Sequence, residues 1–394
     1  MKKKAVTGMK DILPEEMPIV EHLENLLSKQ GGDNEKLIFK VEKRGEKLKE
    51  AIEKGDFEAL SDAGLRYDLT LPLSRFYAEN QAKLPSPFKA LQIGPVFRAD
   101  RPQKGRFREF WQCDIDIFGD SSFLSEIDLL LAMGTLLQEI GFGEQYPFYI
   151  VVNDREILKA MQRYAGFPEG DFEQISIILD KEDKIGRDGV KGELAGLGYS
   201  EEQISRYTEL LDQVSGKKED LLSLGEKLKD VLEEGVCQNL YKIMDLVEIS
   251  GKGKIPLRFD PSLVRGMGYY TGPIFEVRST LFSGSIGGGG RYDKMVGKFT
   301  GIDTPAVGFS IGFERIITIL MEGEASEVRA EKKAILLEKD LQEEELKKAL
   351  LDAMDRRAKG EVVLLSQMNK NKKFQKEQLS KEGYSEFIEY FSKA

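Results

Sequence analysis

The chain predicts a mixed α/β (α+β) fold with more than one domain, and three stretches carry that prediction. Residues 94–119, GPVFRADRPQKGRFREFWQCDIDIFG, hold two apolar alternating runs (Val96-Phe97 and Phe110 to Phe118) around a short basic loop closed by Pro102 and Gly105. The pattern predicts two antiparallel strands joined by a flexible tip. Between about Ile157 and Met244 the sequence turns charged and helix-favouring with no persistent strand pattern, which predicts an inserted helical module. From Lys332 onward, strand (334–337), helix (342–358), strand (361–365), helix (372–381) and a last short strand alternate, as in a small α/β domain. At 394 residues there is enough chain for two or three domains with a substantial core.

The other elements follow in order. The opening MKKKAVTGMKDILPEEM has lysines but no apolar stretch after them, so it does not read as a signal peptide. No run approaches the length of a membrane span, and a cytosolic location is expected. Lys2 to Lys4 read as a solvated tail or a contact for RNA phosphates. His22, the single histidine, is expected on a helix surface, and alone it excludes a His-cluster metal site. Residues 36–53 predict a strand and a charged helix. In LRYDLTLPLSRFYAEN (65–80), Tyr67 and Leu69 alternate with Asp68 and Thr70; Pro72 then breaks the strand before a helix with Leu73, Phe76 and Tyr77 on one face. Asp68 and Thr70 can cap that helix. Leu124, Ile127, Leu130, Leu131 and Leu137 predict an amphipathic helix packed on a sheet, and 147–152 a buried strand. Gly287 to Gly290, followed by Arg291-Tyr292-Asp293, read as a strand with close ligand approach. Phe313, Ile316, Ile317 and Leu320 predict the buried stripe of a closing helix that leaves Arg315 on another face.

The basic loop carries the chemistry. Arg98, Arg101, Lys104, Arg106 and Arg108 place five cations within eleven residues, and such mutual repulsion calls for an external compensator, of which a polyphosphate is the natural one. Strand alternation puts Arg98, Asp100, Phe110, Gln112, Asp114 and Asp116 on one face. That inventory suits a nucleotide and an ammonium group: Arg grips a phosphate bidentately, Phe110 stacks on a base, and Gln112 with Asp116 receives an amine. Further on, Gly266, Gly268 and Gly272 let the backbone around Arg265 pass close to a ligand, and Tyr269 and Tyr270 add a ring plane and hydroxyls. Net charge is -10, so any RNA contact has to use local basic patches. Two cysteines, Cys113 and Cys237, make neither a disulfide framework nor a four-ligand zinc site.

FRADRPQKGRFREFWQCDIDIFG resembles motif 2 of class II aminoacyl-tRNA synthetases in the form carried by histidyl-tRNA synthetases. LVRGMGYYTGPIFEV (263–277) resembles that family's histidine-specific motif, with Gly268 where Asp is common, and GGGGRYDKMVGKFTGIDTPAVGFSIGFERI (287–316) resembles its motif 3 region. The Asp-Leu-Thr at 68–70 and the QCDID of motif 2 look like the eukaryotic and archaeal type. The resemblance implies the class II antiparallel sheet flanked by helices. It divides the chain into a catalytic domain in two parts (1–154, with motif 2 at 94–119, and 246–327), a helical insertion (155–245) and a short anticodon-binding-like α/β domain (328–394). It implies two-step ligation of histidine to the 3′ end of tRNA(His), with ATP and Mg2+. Arg98 and Arg265 would serve the α-phosphate and the substrate carboxylate, while Arg98, Asp100, Arg106, Phe110 and Arg315 would hold ATP. Asp68, Thr70, Gln112, Asp116, Arg265, Tyr269 and Tyr270 would hold histidine. A homodimer is the family's expectation, yet motif 1, which builds much of that interface, has no counterpart where Met17 runs into Pro18. Lys370, Lys372, Lys373 and Lys376 read either as an RNA contact or as a solvated helix face.

Two other classes remain open from sequence. A catalytically inactive histidine-binding paralogue, the regulatory subunit of ATP phosphoribosyltransferase, resembles the same catalytic domain but generally lacks a C-terminal domain. A nonenzymatic RNA-binding protein accounts for the basic loop but not for an acidic, tyrosine-lined site.

Overall fold

The structure, a computed structural model, describes residues 13–30, 36–101, 105–264, 268–322 and 332–392. Lys2 to Lys4, Pro102, Lys104, Arg265 and Gly266, singled out above, lie outside the described residues. The chain divides into two units, Met1–Ile319 and Leu320–Ala394.

The strands of the first unit are β1 (Leu13–Pro14), β2 (Val20–His22), β3 (Lys40–Glu42), β4 (Ser61–Leu65), β5 (Phe88–Phe97), β6 (Glu109–Phe118), β7 (Phe148–Asp154), β8 (Leu257–Phe259), β9 (Pro273–Ser279), β10 (Phe282–Arg291) and β11 (Ala306–Gly312). Eight of them form one sheet in the order β1-β5-β6-β11-β10-β9-β7-β8. It is antiparallel except for its two outermost pairings, β1 with β5 and β7 with β8. The hairpin expected at 94–119 is β5 and β6, paired from Phe88↔Phe118 to Phe97↔Glu109. Gln112, Asp114 and Asp116 project from one face of β6, while Cys113, Ile115 and Ile117 project from the other. The glycine run lies mid-sheet between β9 and β11. A Cβ on Gly289 would stand 1.9 Å from the Gly308 carbonyl oxygen, and one on Gly290 2.6 Å from that of Pro273. Close strand approach therefore demands glycine at these two positions, whatever a ligand requires.

Helices α1 (Leu23–Gln30), α2 (Glu46–Glu53), α3 (Thr70–Asn80) and α4 (Leu124–Glu139) precede the helical segment. The strand expected through Tyr67 and Leu69 ends instead at Leu65, and α3 begins at Thr70, ahead of Pro72. Proline is tolerated in a first helical turn because no intrahelical partner awaits its missing N–H. His22 is exposed, as expected, but belongs to β2 rather than a helix, because Val20 to His22 pair with β4 in the small sheet β2-β4-β3. Leu124, at the open first position of α4, is exposed rather than core. Beyond β7 come α5 (Arg155–Ala165), α6 (Phe172–Leu179), α7 (Glu182–Gly196), α8 (Glu201–Asp212), α9 (Asp220–Leu228) and α10 (Val236–Ser250), the expected helical run. Its ends carry recognisable signals: Asp154 accepts from the Glu156 N–H at the start of α5, and Ser200 and Gln203 form a reciprocal cap on α8.

After α11 (Gly297–Thr300), α12 (Phe313–Glu322) follows directly on β11. Its buried stripe is Ile316 and Ile319; Phe313 and Ile317 are exposed, which corrects the stripe expected from sequence. Several overlapping apolar stripes fit a helical period here, and the direction in which β11 delivers the chain selects among them.

The second unit contains β12 (Lys332–Leu337), α13 (Glu343–Ala358), β13 (Val362–Gln367), α14 (Lys372–Lys381) and β14 (Tyr384–Tyr390). Its three strands are parallel in the order β13-β12-β14. Ala349 and Ala353 of α13 pack with Ile335 and Val363, and Leu379 of α14 packs with Ala334 and Leu336, so successive residues of β12 serve opposite faces. Lys372 and Lys376 both pair with Glu389, which neutralises part of the lysine cluster.

Candidate active site

Two adjoining pockets open on the face of the sheet that carries Gln112, Asp114 and Asp116. The smaller, about 90 Å³, is lined by Asp68, Thr70, Gln112, Asp116, Tyr269 and Tyr270, with Asp114, Tyr292, Ser310 and Arg98 among the remaining walls. The larger, about 340 Å³, is lined by Arg98, Asp100, Arg106, Phe110 and Arg315, with Tyr67 and Glu314 among others. Arg98, Gln112, Gly288 and Ser310 border both. The residues to which the family resemblance gives ATP and histidine, apart from Arg265 outside the described residues, thus fall in two neighbouring spaces, whereas Arg101 and Arg108 of the basic loop line neither.

The smaller pocket is acidic. Asp68, Asp114 and Asp116 are all buried, and burial drives each carboxyl pKa upward. Asp116 reaches about 7 even though the Tyr292 hydroxyl donates to its Oδ1 at 2.5 Å. Asp114 is pushed well above the usual carboxylate range by burial and by the nearby Asp116. Asp68 Oδ1 accepts from the Leu71 N–H at 3.0 Å, so the helix-capping role and a place in the pocket wall coexist in one side chain. Asp114 Oδ1, Asp116 Oδ2 and Gln112 Oε1 are buried acceptors with no partner among the described residues. Acceptors of this kind cost free energy unless a ligand's donors meet them. Tyr269 and Tyr270 stand with ring centroids 4.8 Å apart, and the Tyr269 ring meets Tyr292 edge-on at 5.9 Å.

The larger pocket is cationic at its rim. The Arg98 guanidinium lies over the Tyr67 ring at 4.1 Å and the Phe110 ring at 5.0 Å, and its Nε donates to the Tyr67 carbonyl at 3.2 Å. Its charge is held by two rings and a main-chain oxygen, which leaves the guanidinium edge for an anion. Phe110, assigned to a base from sequence, is thus also part of the arginine's seat. Arg315 reaches from α12 to the carbonyls of Gly105 and Ser285. Among the described residues no three His, Cys, Asp or Glu side chains are grouped to hold a metal ion. Glu314 accepts from the Trp111 N–H at 2.8 Å through Oε1, and its buried Oε2 has no partner among the described residues.

Sequence reasoning missed Tyr67, Tyr292, Ser310 and Glu314 as site residues, and it placed Asp114 on the right strand face without assigning it a role. Ser310 reaches the pocket through the register of β11 against β6, where it faces Asp114, and Tyr292, just after β10, is held to β11 by its N–H to the Ala306 carbonyl. The alternation of Ser310 with Gly308 and Gly312 was the available signal.

A mainly antiparallel sheet that carries a cation-rimmed pocket beside a small acidic one has the architecture expected of the class II aminoacyl-tRNA synthetase catalytic unit. A family model described as "Histidyl-tRNA synthetase" matches residues 14–316. The histidine--tRNA ligase of Leifsonia xyli subsp. xyli is 45% identical over 318 residues, covering 77% of this chain and 72% of that protein. A crystal structure of histidyl-tRNA synthetase from Nostoc sp. superposes with a TM-score of 0.73 at 26% identity, covering 94% of this chain and 82% of that one. A structure from Bacillus halodurans, titled as an ATP phosphoribosyltransferase regulatory subunit/histidyl-tRNA synthetase, shares the fold at a TM-score of 0.72 and 20% identity, over 97% of this chain and 90% of its own. The chain belongs to the histidyl-tRNA synthetase family.

Proposed function

We propose that the protein is a histidine--tRNA ligase that activates histidine with ATP and transfers it to the 3′ end of tRNA(His). The observation that carries the reading is the junction at Arg98, Gln112, Gly288 and Ser310 between an acidic pocket and a cationic one. A histidine seated among Asp68, Thr70, Gln112, Asp116, Tyr269 and Tyr270 would turn its carboxylate toward Arg98, where the α-phosphate of ATP would meet it.

In the first step the carboxylate attacks the α-phosphorus in line, forming histidyl-adenylate and releasing pyrophosphate. In the second, a ribose hydroxyl of the tRNA end takes the acyl group. Negative charge grows on the α-phosphoryl oxygens in the first step, so a fixed guanidinium aimed there lowers the barrier without reorganising. Arg98 fills that role, with Arg265 implied beside it by the family motif. Arg106 and Arg315 would hold the outer phosphates, and Phe110 with Asp100 the rest of the nucleotide. Magnesium binds through few protein carboxylates and mostly through phosphates and water. Glu314, whose Oε2 has no partner among the described residues, would hold it or its waters.

Residues 155–245 would brace the acceptor stem, and 328–394 would serve as a reduced anticodon-binding domain in the cytoplasm. Homodimerisation, implied by the family, is supported by apolar side chains left exposed on β5, β6 and α12, namely Ile93, Trp111 and Phe313. Sedimentation equilibrium reads it directly.

The test of the reaction is histidine-dependent ATP–pyrophosphate exchange. Exchange with histidine alone among the amino acids, lost in Arg98→Ala, is the expected result. Histidine binding without exchange would instead favour a histidine-sensing regulatory protein.

A further inference from the structure

Thr271 stands where the pairing of β9 with β10 stops. That ladder ends at Ile274↔Gly290, and Pro273 has no N–H with which to carry it further. Thr271 takes over with two groups. Its N–H donates to the Arg291 carbonyl at 2.7 Å and its hydroxyl to the same oxygen at 3.4 Å, while the hydroxyl oxygen accepts the Asp293 N–H at 3.1 Å. One proton and two lone pairs let a single hydroxyl meet both demands. The main chain of Tyr292 is thereby bracketed before and after by one side chain, and its own N–H is held from β11 by the Ala306 carbonyl at 2.7 Å.

Both sides of this bracket carry walls of the small pocket. Tyr269 and Tyr270 immediately precede Thr271, and their segment is tied on its far side by the Arg155 N–H, which donates to the Gly272 carbonyl at 3.1 Å. Tyr292 lies between the two main-chain groups that Thr271 holds, with its hydroxyl on Asp116 Oδ1 and its ring edge-on to Tyr269. Thr271 itself lines neither the small pocket nor the larger one. We propose that Thr271 is a positioning residue for the amino-acid substrate, whose hydroxyl fixes the spacing between the wall of Tyr269 and Tyr270 and the wall of Tyr292 and Asp116. The inference rests on the reading of the small pocket as the amino-acid site. In a space of about 90 Å³ a modest shift of either wall changes how the ligand is held.

Thr271→Val keeps the shape and the main-chain bond to Arg291 but removes the hydroxyl, so the Asp293 N–H loses its acceptor. Thr271→Ala removes the hydroxyl without adding a methyl group and reports the same loss should valine not pack. Thr271→Ser keeps the hydroxyl. The experiment measures the KM for histidine and the KM for ATP in pyrophosphate exchange for the wild type and the three variants, with circular dichroism melts to show that each is folded.

Thr271→Val and Thr271→Ala are expected to raise the histidine KM by about tenfold or more, the range for a donor left without its partner. The ATP KM should move by less than about threefold, because Arg98, Arg106 and Arg315 of the larger pocket lie outside the bracketed segments. Thr271→Ser should stay within about threefold of the wild type for both substrates, since only a half-buried methyl group is lost. A wild-type histidine KM in the valine and alanine variants, an equal rise of both KM values, or a serine variant as impaired as valine would overturn the positioning role. A wild-type protein without histidine-dependent exchange would overturn the amino-acid reading of the pocket, and this inference with it.

Discussion

The Tyr292 hydroxyl donates to Asp116 Oδ1 at 2.5 Å, joining the residue just after β10 to the middle of β6 across a sequence separation of 176. One carboxylate oxygen is thereby fixed, and the other faces the small pocket as a buried acceptor with no partner among the described residues.

This pair gives Asp116 a pH signature. Its pKa is raised by burial to about 7 from an ordinary 3.8, so the folded chain retains a proton here that the unfolded chain has released. Stability from this group is therefore complete below about pH 4 and is lost as pH rises through about 7. Asp116→Asn should match the wild type in urea unfolding at pH 4 and exceed it by a few kcal/mol at pH 8, while losing histidine-dependent exchange. A variant no more stable than wild type at pH 8 would contradict the assignment. Because the ionised form accepts a cationic ligand, the wild-type KM for histidine should fall as pH rises through the same range.

Arg98 depends on planarity. Its guanidinium is seated between the Tyr67 and Phe110 rings, and an ammonium keeps the charge but neither the stacking nor the forked donors. Arg98→Lys should cost about 10² to 10³ in the kcat of exchange, the scale of losing one fixed donor at a developing negative charge. Wild-type turnover in the lysine variant would remove Arg98 from the reacting centre.

Two glycines separate folding from binding. A Cβ on Gly308 would lie 2.0 Å from Asp116 Oδ1, whereas one on Gly289 would lie 1.9 Å from the main-chain oxygen of Gly308. Gly308→Ala should displace the Asp116 side chain and raise the histidine KM more than the ATP KM. Gly289→Ala has only backbone to push and should lower the melting temperature first. Circular dichroism melts and steady-state kinetics on the two variants distinguish these outcomes.

Arg291 makes a bidentate pair with Glu126, at 2.6 and 2.8 Å, inside the first unit. Arg291 also pairs with Asp293 at 3.2 Å, so removing Glu126 leaves a buried guanidinium with one partner fewer, and Glu126→Ala should destabilise by about 2–3 kcal/mol in urea, below the cost of a wholly unpaired charge. A double change of Glu126 to Leu and Arg291 to Met, which replaces the pair by apolar volume, should recover much of the loss. A Glu126→Ala loss below about 1 kcal/mol would mean that the pair is not desolvated as the structure has it.

Legibility in the sequence followed the range of the interaction. The β5–β6 hairpin and the alternation of β12 to β14 with α13 and α14 were readable because each rests on local periodicity and nearby turns. Phe110, Gln112 and Asp116 were assigned from strand alternation and side-chain chemistry, whereas Asp68, Tyr269 and Arg315 joined the site through resemblance to the family's motifs, since no local rule brings Asp68 to Tyr269. His22 was misplaced because a three-residue strand pairing with β4 leaves almost no periodic trace beside a helix. The alternation of Ser310 with Gly308 and Gly312 marks a strand face, but the partners of Ser310 and Tyr292 on β6 lie far upstream, and only the sheet register decides that this face lines the pocket.

The central position of β6, paired with β5 on one side and β11 on the other, has a consequence for how the protein is made. Translation delivers Asp114 and Asp116 early and Ser310 late, with the whole helical segment in between. Until β11 emerges, the acidic strand has an open edge, and its carboxylates are in water with ordinary acidity. The last strand to dock closes that edge, removes the water and raises the pKa values together. Assembly of the sheet and creation of the site's electrostatics are therefore coupled, and a ribosome stalled before Gly312 would hold a chain that contains the hairpin but not the small acidic pocket.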